Sequence, residues 1–381
     1  MFGSVSLKAK LDMSNGRPSG FDWMRISLSV AVVFIHSIIT SYGMSADEAI
    51  FRSPLSGPAR LVLPMFFGLS GFLVAGSLLR TNTLVEFLGL RFIRIYPALA
   101  VEVFLSALLL GPLVSTTPVA TYFTSSEFLR YILNVTGHIS YRLPGVFKDN
   151  PIPYNVNQQL WTVPYELMCY IAIAGISLIG LKKRPLMGTL AILALYLAFI
   201  IYKYIRIDQL YDGHFPEIKT PTAGVIWVEC FLFGAVYFLF ADKLPWSGPL
   251  TVVAGAVSVI VLGLVPIGEY FIAPVAAYFT VCLGVTNPRR IGALRAADYS
   301  YGVYLYSFVI QQAMVYLFPV TRNWWLNFLI AIPLSFLFAA FSWHYVEKPA
   351  LNLKGRLPKR LPSIRLGATA LRAKFEHIES K

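Results

Sequence analysis

Ten stretches of this chain stay apolar for about twenty residues each, and no other feature limits its fold as tightly. They lie at 24–42, 59–79, 92–115, 162–181, 186–202, 222–240, 247–265, 269–286, 299–319 and 324–345. A helix that crosses a bilayer needs about 20 mostly apolar residues, and inside lipid it must satisfy its own backbone hydrogen bonds. Composition agrees. Of 381 residues, 56% are hydrophobic and only 13% are charged, against about 25% charged in a soluble domain. The expected fold is therefore all-α, a polytopic membrane bundle of about ten transmembrane helices. No internal repeat is visible, which counts against a transporter built from repeated halves.

The net charge is +13. In a soluble protein that would point to nucleic acid; in a membrane protein it points to basic cytoplasmic loops, and no nucleic-acid partner is expected. An even number of spans puts both termini on one side. Most lysines and arginines fall on that side, at Lys8, Lys10, Arg17 and Arg25, around 80–94, at 182–184, at 289–295 and in the tail. Both termini are therefore expected in the cytoplasm. The expected division is a cytoplasmic N-terminal segment over 1–23, a transmembrane domain over 24–345 and a basic cytoplasmic tail over 346–381, lying on anionic lipid. The first apolar run contains Arg25 and His36 and has no clear cleavage site, so it reads as an uncleaved helix. Cys169, Cys230 and Cys282 sit in separate runs without metal-ligand spacing and read as small buried hydrophobes. No metal site is expected.

An ionisable group inside a span is costly, so each is a candidate for function. His36 lies eleven residues after Arg25, about three turns along one helix face and about 16 Å deeper. Asp22 can hold Arg25 through an i,i+3 pair. The third run opens Arg91-Phe-Ile-Arg94-Ile-Tyr-Pro97. Its two arginines share a face at the cytoplasmic headgroup layer, where guanidinium forks suit the phosphates of a nucleotide or of lipid. The fourth run opens Leu160-Trp-Thr-Val-Pro-Tyr-Glu166, and its position puts Glu166 within roughly 5 Å of the depth of His36. A carboxylate beside an imidazole raises its basicity, as a general base requires. Glu102 and Glu229 either line the same cavity or pair between helices. His344 and Glu347 read as structural groups at the inner interface. In Met65-Phe-Phe-Gly-Leu-Ser-Gly-Phe72 the glycines suit close helix packing, and Ser70 is a candidate to face a cavity.

Two long outer loops are expected, at 116–161 and 203–221. The first holds a Pro/Asn/Gln-rich stretch from Asp149 to Gln159. It reads either as a cap that binds hydroxyl-rich ligands or as an ordinary connection.

With these residues set out, the chain resembles acyltransferase family 3, membrane O-acyltransferases known mainly from bacteria. The resemblance covers about 20–350 and rests on an ordered set. It runs through Phe21-Asp-Trp-Met-Arg25 with His36, Phe66-Phe-Gly-Leu-Ser-Gly-Phe72, and Arg91-Phe-Ile-Arg94-Ile-Tyr-Pro97. It continues through Leu160-Trp-Thr-Val-Pro-Tyr-Glu166, Tyr299-Ser-Tyr-Gly-Val-Tyr-Leu305 and Tyr345-Val-Glu-Lys-Pro349. Trp-Thr-Val-Pro stands where the family has a Trp-Ser-Leu-type motif. The resemblance implies an acyl-CoA co-substrate, usually acetyl-CoA, with no tightly bound cofactor. It implies transfer to a sugar hydroxyl on a polysaccharide or lipid-linked glycan, in a bacterial inner membrane. His36 matches the family's essential histidine, with Glu166 as its assisting acid. Arg25, Arg91 and Arg94 match the basic residues expected to hold CoA. The rival reading is a transporter or flippase for a lipid-linked sugar or organic anion.

Overall fold

The computed structural model describes residues 5–178, 184–211, 222–290 and 297–357. Ten helices dominate: α1 (Gly20–Tyr42), α2 (Ser56–Arg80), α3 (Leu84–Phe104), α4 (Val163–Leu178), α5 (Pro185–Tyr211), α6 (Gly224–Leu239), α7 (Gly248–Leu264), α8 (Ala273–Gly284), α9 (Ser300–Leu317) and α10 (Trp324–Ser342). Each falls on one of the ten apolar stretches. Among the described residues, six helical stretches are long and apolar enough to cross a membrane: Gly20–Tyr42, Ser56–Arg80, Leu84–Val114, Gln158–Leu178, Pro185–Arg206 and Trp324–Gly355. Of the remaining helices, α6, α7 and α8 are apolar but shorter, and α9 carries buried Ser300, Ser307, Gln311 and Gln312. Among the described residues the sole sheet is a two-residue antiparallel pair, Val5–Ser6 with Pro245–Trp246. The protein is an all-α membrane protein. Large apolar side chains such as Leu195, Ile201, Val252, Ile260 and Leu337 are exposed on its outside, where water would penalise them and lipid does not.

Close backbone approach organises the centre. In α2, a Cβ at Gly71 would fall on the Phe231 carbonyl of α6, and one at Gly234 of α6 would fall on the Gly68 carbonyl of α2. Only residues without side chains let these two helices meet so closely, which is the usual device where lipid offers no hydrophobic drive for helix association. Glycine also ends α1. Gly43 has φ +85°, a left-handed turn that L side chains resist, and the chain leaves it into the short helix Met44–Phe51.

One end of the bundle gathers the ends of the described chain. The helix Leu7–Asp12 docks on the turn after α6, through Leu7 N–H to Leu244 O at 2.9 Å and Lys8 N–H to Ala241 O at 2.8 Å. Gly20 N–H, at the start of α1, donates to Thr286 O just past α8 at 2.9 Å. Residues 5–12 of the expected N-terminal segment are thus packed against the bundle. After α10, a π-helical turn over Trp343–Glu347 leads into Lys348–Asn352. Residues 358–381 of the expected tail, with Lys182, Lys183 and Arg295, lie outside the described residues.

The opposite end is covered by the segment between α3 and α4. It includes the helices Val119–Thr124 and Ser126–Ile132, then an irregular stretch whose Leu143, Val146, Phe147 and Val156 are fully buried. Gln312 of α9 binds it from within, donating to Ile152 O at 2.9 Å and Asn155 O at 2.6 Å and accepting from Asn150 at 3.0 Å. The other expected loop, 203–221, differs. Helix α5 runs on to Tyr211, taking up the first half, and 212–221 lie outside the described residues.

Candidate active site

A cavity opens among α1, α2, α3, α4 and α9. Its walls include Arg25, Ser70, Arg91, Arg94, Gln159, Glu166, Tyr170, Tyr301 and Tyr304, with Phe66 and Phe67 on the α2 side. Four of the five residues singled out by sequence, Arg25, Arg91, Arg94 and Glu166, therefore share one space. Ser70 faces it, while the neighbouring Gly68 and Gly71 serve the packing of α2 on α6.

Its charged end is tied together by an acid that sequence reasoning did not single out. Asp298, just before α9, binds Arg25 at 3.1 Å and Arg94 at 2.6 Å through the same oxygen, Oδ2. Ser300 donates its hydroxyl to Oδ1 at 2.5 Å. Burial opposes ionisation of Asp298. The guanidinium charges of Arg25 and Arg94 and the hydrogen bonds from Ser300 outweigh that and hold its carboxyl well below the usual carboxylate range. Asp22 adds a longer pair to Arg25 at 3.8 Å, the expected i,i+3 contact, and also binds Arg290 at 3.0 Å. Glu347, carried by the π-helical turn, lies 3.5 Å from Arg94. Glu347 and Asp298 are the two carboxylates that face Arg94.

Arg91 is held differently. It donates to Ser77 Oγ at 3.3 Å, and its guanidinium lies 5.9 Å from the Tyr170 ring and 6.0 Å from that of Phe87. Its Nε is buried without a partner. Among the described residues no carboxylate comes within ion-pair distance of it. Glu166 accepts from Tyr170 OH at 2.5 Å, and its cationic neighbours are Arg94 and Arg91. A half-buried guanidinium without an ion pair suits an anion supplied from outside.

His36 stands apart from this charged end. Its ring meets Phe308 of α9 edge-on at 5.1 Å, and its polar neighbour is the side chain of Gln159. Its Nδ1 is buried without a partner. Gln159 walls the cavity, so it stands between the cavity and the imidazole. Glu166 lies with Tyr170 and the arginines, and the structure does not bring it to His36 as the depth argument expected. The turn Gln158–Thr162 is 3-10, and α4 starts only at Val163. Gln159 therefore takes the level of His36, and Glu166 sits seven residues further in, about 10 Å. A cue to Gln159 was available, since it immediately precedes Leu160 of the fourth motif. Asp298 likewise precedes Tyr299 of the fifth, in the position of an acid heading a helix.

Two other buried acids lie outside the cavity. Glu102 accepts from Ser106 and from Asn157, both at 2.9 Å, and so pins the outer segment to α3. Glu229 of α6 is buried away from the cavity walls. The three cysteines are buried and unbonded.

The acyltransferase domain family known as acyltransferase family 3 matches residues 19–344. An O-acetyl transferase from Shigella phage Sf6 is 24% identical over 348 residues, covering 87% of this chain and 96% of the relative. Nodulation protein 10 from Rhizobium leguminosarum bv. viciae is 25% identical over 379 residues, covering 92% and 98%. No solved structure matches the chain. With the family spanning nearly all of the helical bundle, the chain belongs to acyltransferase family 3 and is a membrane acyltransferase.

Proposed function

We propose that the protein transfers an acyl group, acetyl in the first instance, from acyl-CoA to a sugar hydroxyl on a polysaccharide or lipid-linked glycan. The observation that carries this reading is one cavity with guanidinium groups at one end and Gln159, the neighbour of His36, at the other. Along α9, Ser300 and Ser307 mark these two levels, seven residues or about 10 Å apart. In this reading all ten helices cross a bacterial inner membrane and the arginine end faces the cytoplasm, where acyl-CoA is found.

Arg91 takes a CoA phosphate, since no carboxylate among the described residues comes within ion-pair distance of it. Arg25 and Arg94, tied to Asp298, shape the mouth and add positive potential. The acylated pantetheine arm runs inward past Ser70 and the Phe66–Phe67 wall and brings its thioester to Gln159. His36 takes the proton of the acceptor hydroxyl. The hydroxyl oxygen attacks the thioester carbon, the carbon–sulfur bond breaks, and the proton passes to the departing thiolate. Glu166 acts at the cation end, fixing Tyr170 and balancing Arg91 and Arg94, and does not touch the imidazole. The outer segment and the last turns of α9 meet the acceptor.

The test is CoA release from acetyl-CoA by purified protein in lipid, with a cell-derived glycan extract as acceptor. Acceptor-dependent release that falls by about 100-fold or more in His36→Ala, at normal protein level, is expected for a general base. Absence of release across acetyl-CoA, longer acyl-CoAs and several extracts, from folded protein, would move the reading to a transporter.

A further inference from the structure

Gln159 combines four properties that packing alone does not require. It is 1% exposed, it walls the cavity, it neighbours His36, and its side-chain nitrogen has no partner among the described residues. A buried amide nitrogen without an acceptor costs stability, and such groups in a native structure call for an explanation. Its other polar atoms are fixed. The side-chain oxygen accepts a long hydrogen bond from Ser307 Oγ at 3.4 Å, and the side chain also hydrogen-bonds His36. Its backbone carbonyl accepts from Thr162 Oγ1 at 3.1 Å and Tyr304 OH at 3.3 Å. The residue offers two unused amide hydrogens beside an imidazole at the wall of the cavity.

We propose that Gln159 is a catalytic residue, donating a hydrogen bond from Nε2 to the carbonyl oxygen of the acyl thioester. The proposal rests on the acyl-CoA reading above. As the acceptor oxygen bonds to the thioester carbon, the carbonyl π electrons move onto oxygen, and that negative charge grows against Nε2. When the carbon–sulfur bond breaks, the carbonyl re-forms and the pair leaves with sulfur. A donor already in position before charge develops lowers the barrier without reorganisation. His36 manages the proton, and Gln159, beside it, manages the charge on the carbonyl oxygen.

The experiment compares wild type with Gln159→Leu and the near-isosteric Gln159→Glu in lipid, using acetyl-CoA and the glycan extract. The expected result is a fall in kcat of about 100- to 1,000-fold, the usual loss for one such donor, with KM for acetyl-CoA and the thermal midpoint close to wild type. A variant that keeps kcat within about threefold, or a change confined to KM, would overturn the proposal. A second readout does not depend on variant folding. The infrared carbonyl stretch of acetyl-CoA labelled with carbon-13 at the carbonyl, bound to wild type without acceptor, is expected to shift to lower frequency. A bound but unshifted carbonyl would overturn the proposal by itself. Failure of the underlying reading looks different, because wild type would then release no CoA at all.

Discussion

Arg25 of α1 and Arg94 of α3 meet on a single oxygen, Oδ2 of Asp298, at 3.1 Å and 2.6 Å. Three helices that are distant in sequence are locked at one end by this arrangement. Neither arginine is then free to act as an isolated phosphate ligand.

Asp298→Asn leaves two partly buried guanidinium groups facing each other without their shared counter-charge. Breaking such a pair from one side is expected to cost about 2 kcal/mol, toward the low end for buried pairs because these groups are not fully enclosed. The carboxyl of Asp298 sits below its ordinary range in the folded protein, so its contribution is present above the unfolded value, about 4. It is lost as pH falls through the lower folded value. Thermal midpoints should show a constant gap between wild type and Asp298→Asn from pH 5 to 8, as a rough window, closing in stronger acid.

Arg91→Gln removes the one cavity arginine without a carboxylate within ion-pair distance among the described residues. Apparent affinity for acetyl-CoA should fall about tenfold, equivalent to about 1.4 kcal/mol, with little change in kcat or thermal midpoint. Arg94→Gln should differ by lowering the midpoint as well, since Asp298 loses one of its two arginine partners and Glu347 loses its own. Binding and unfolding measured on both variants separate the two roles.

Gly71→Ala places a methyl group on the Phe231 carbonyl. Because that neighbour is backbone, α2 and α6 must separate, at a cost of about 1–3 kcal/mol. Gly175, with open space around its would-be Cβ, is the control, and Gly175→Ala should match wild type in a detergent unfolding assay.

Gln312→Ala removes two donors from the outer segment, those to Ile152 O and Asn155 O, and the acceptor for Asn150. Each net hydrogen bond contributes about 1 kcal/mol. Limited proteolysis should therefore cut within 138–157 at least tenfold faster than in wild type, with the rest of the bundle intact.

The helices were legible in the sequence because lipid imposes one simple rule, about twenty apolar residues per crossing. All ten apolar stretches hold helices, and Arg25, Arg91, Arg94 and Glu166 line one cavity. What escaped was set by distant pairing. Asp298 is 273 residues from Arg25 and 204 from Arg94, and no local period encodes such a contact. The depth of Glu166 was misjudged for a local reason. Counting from helix ends assumes that they begin level, whereas the 3-10 turn at Gln158–Thr162 carries the first turn of the motif to the height of His36 and leaves Glu166 below.

The outer segment has a consequence for how such an enzyme diverges. Gln312 grips it by the carbonyls of Ile152 and Asn155, and its apolar side chains point inward, while Arg142, Lys148, Asp149 and Pro153 stay on the surface. Main-chain carbonyls are present whatever the residue. Natural variation at those four surface positions can therefore accumulate without loosening the scaffold, and the surface of this segment can change while the bundle beneath it stays the same.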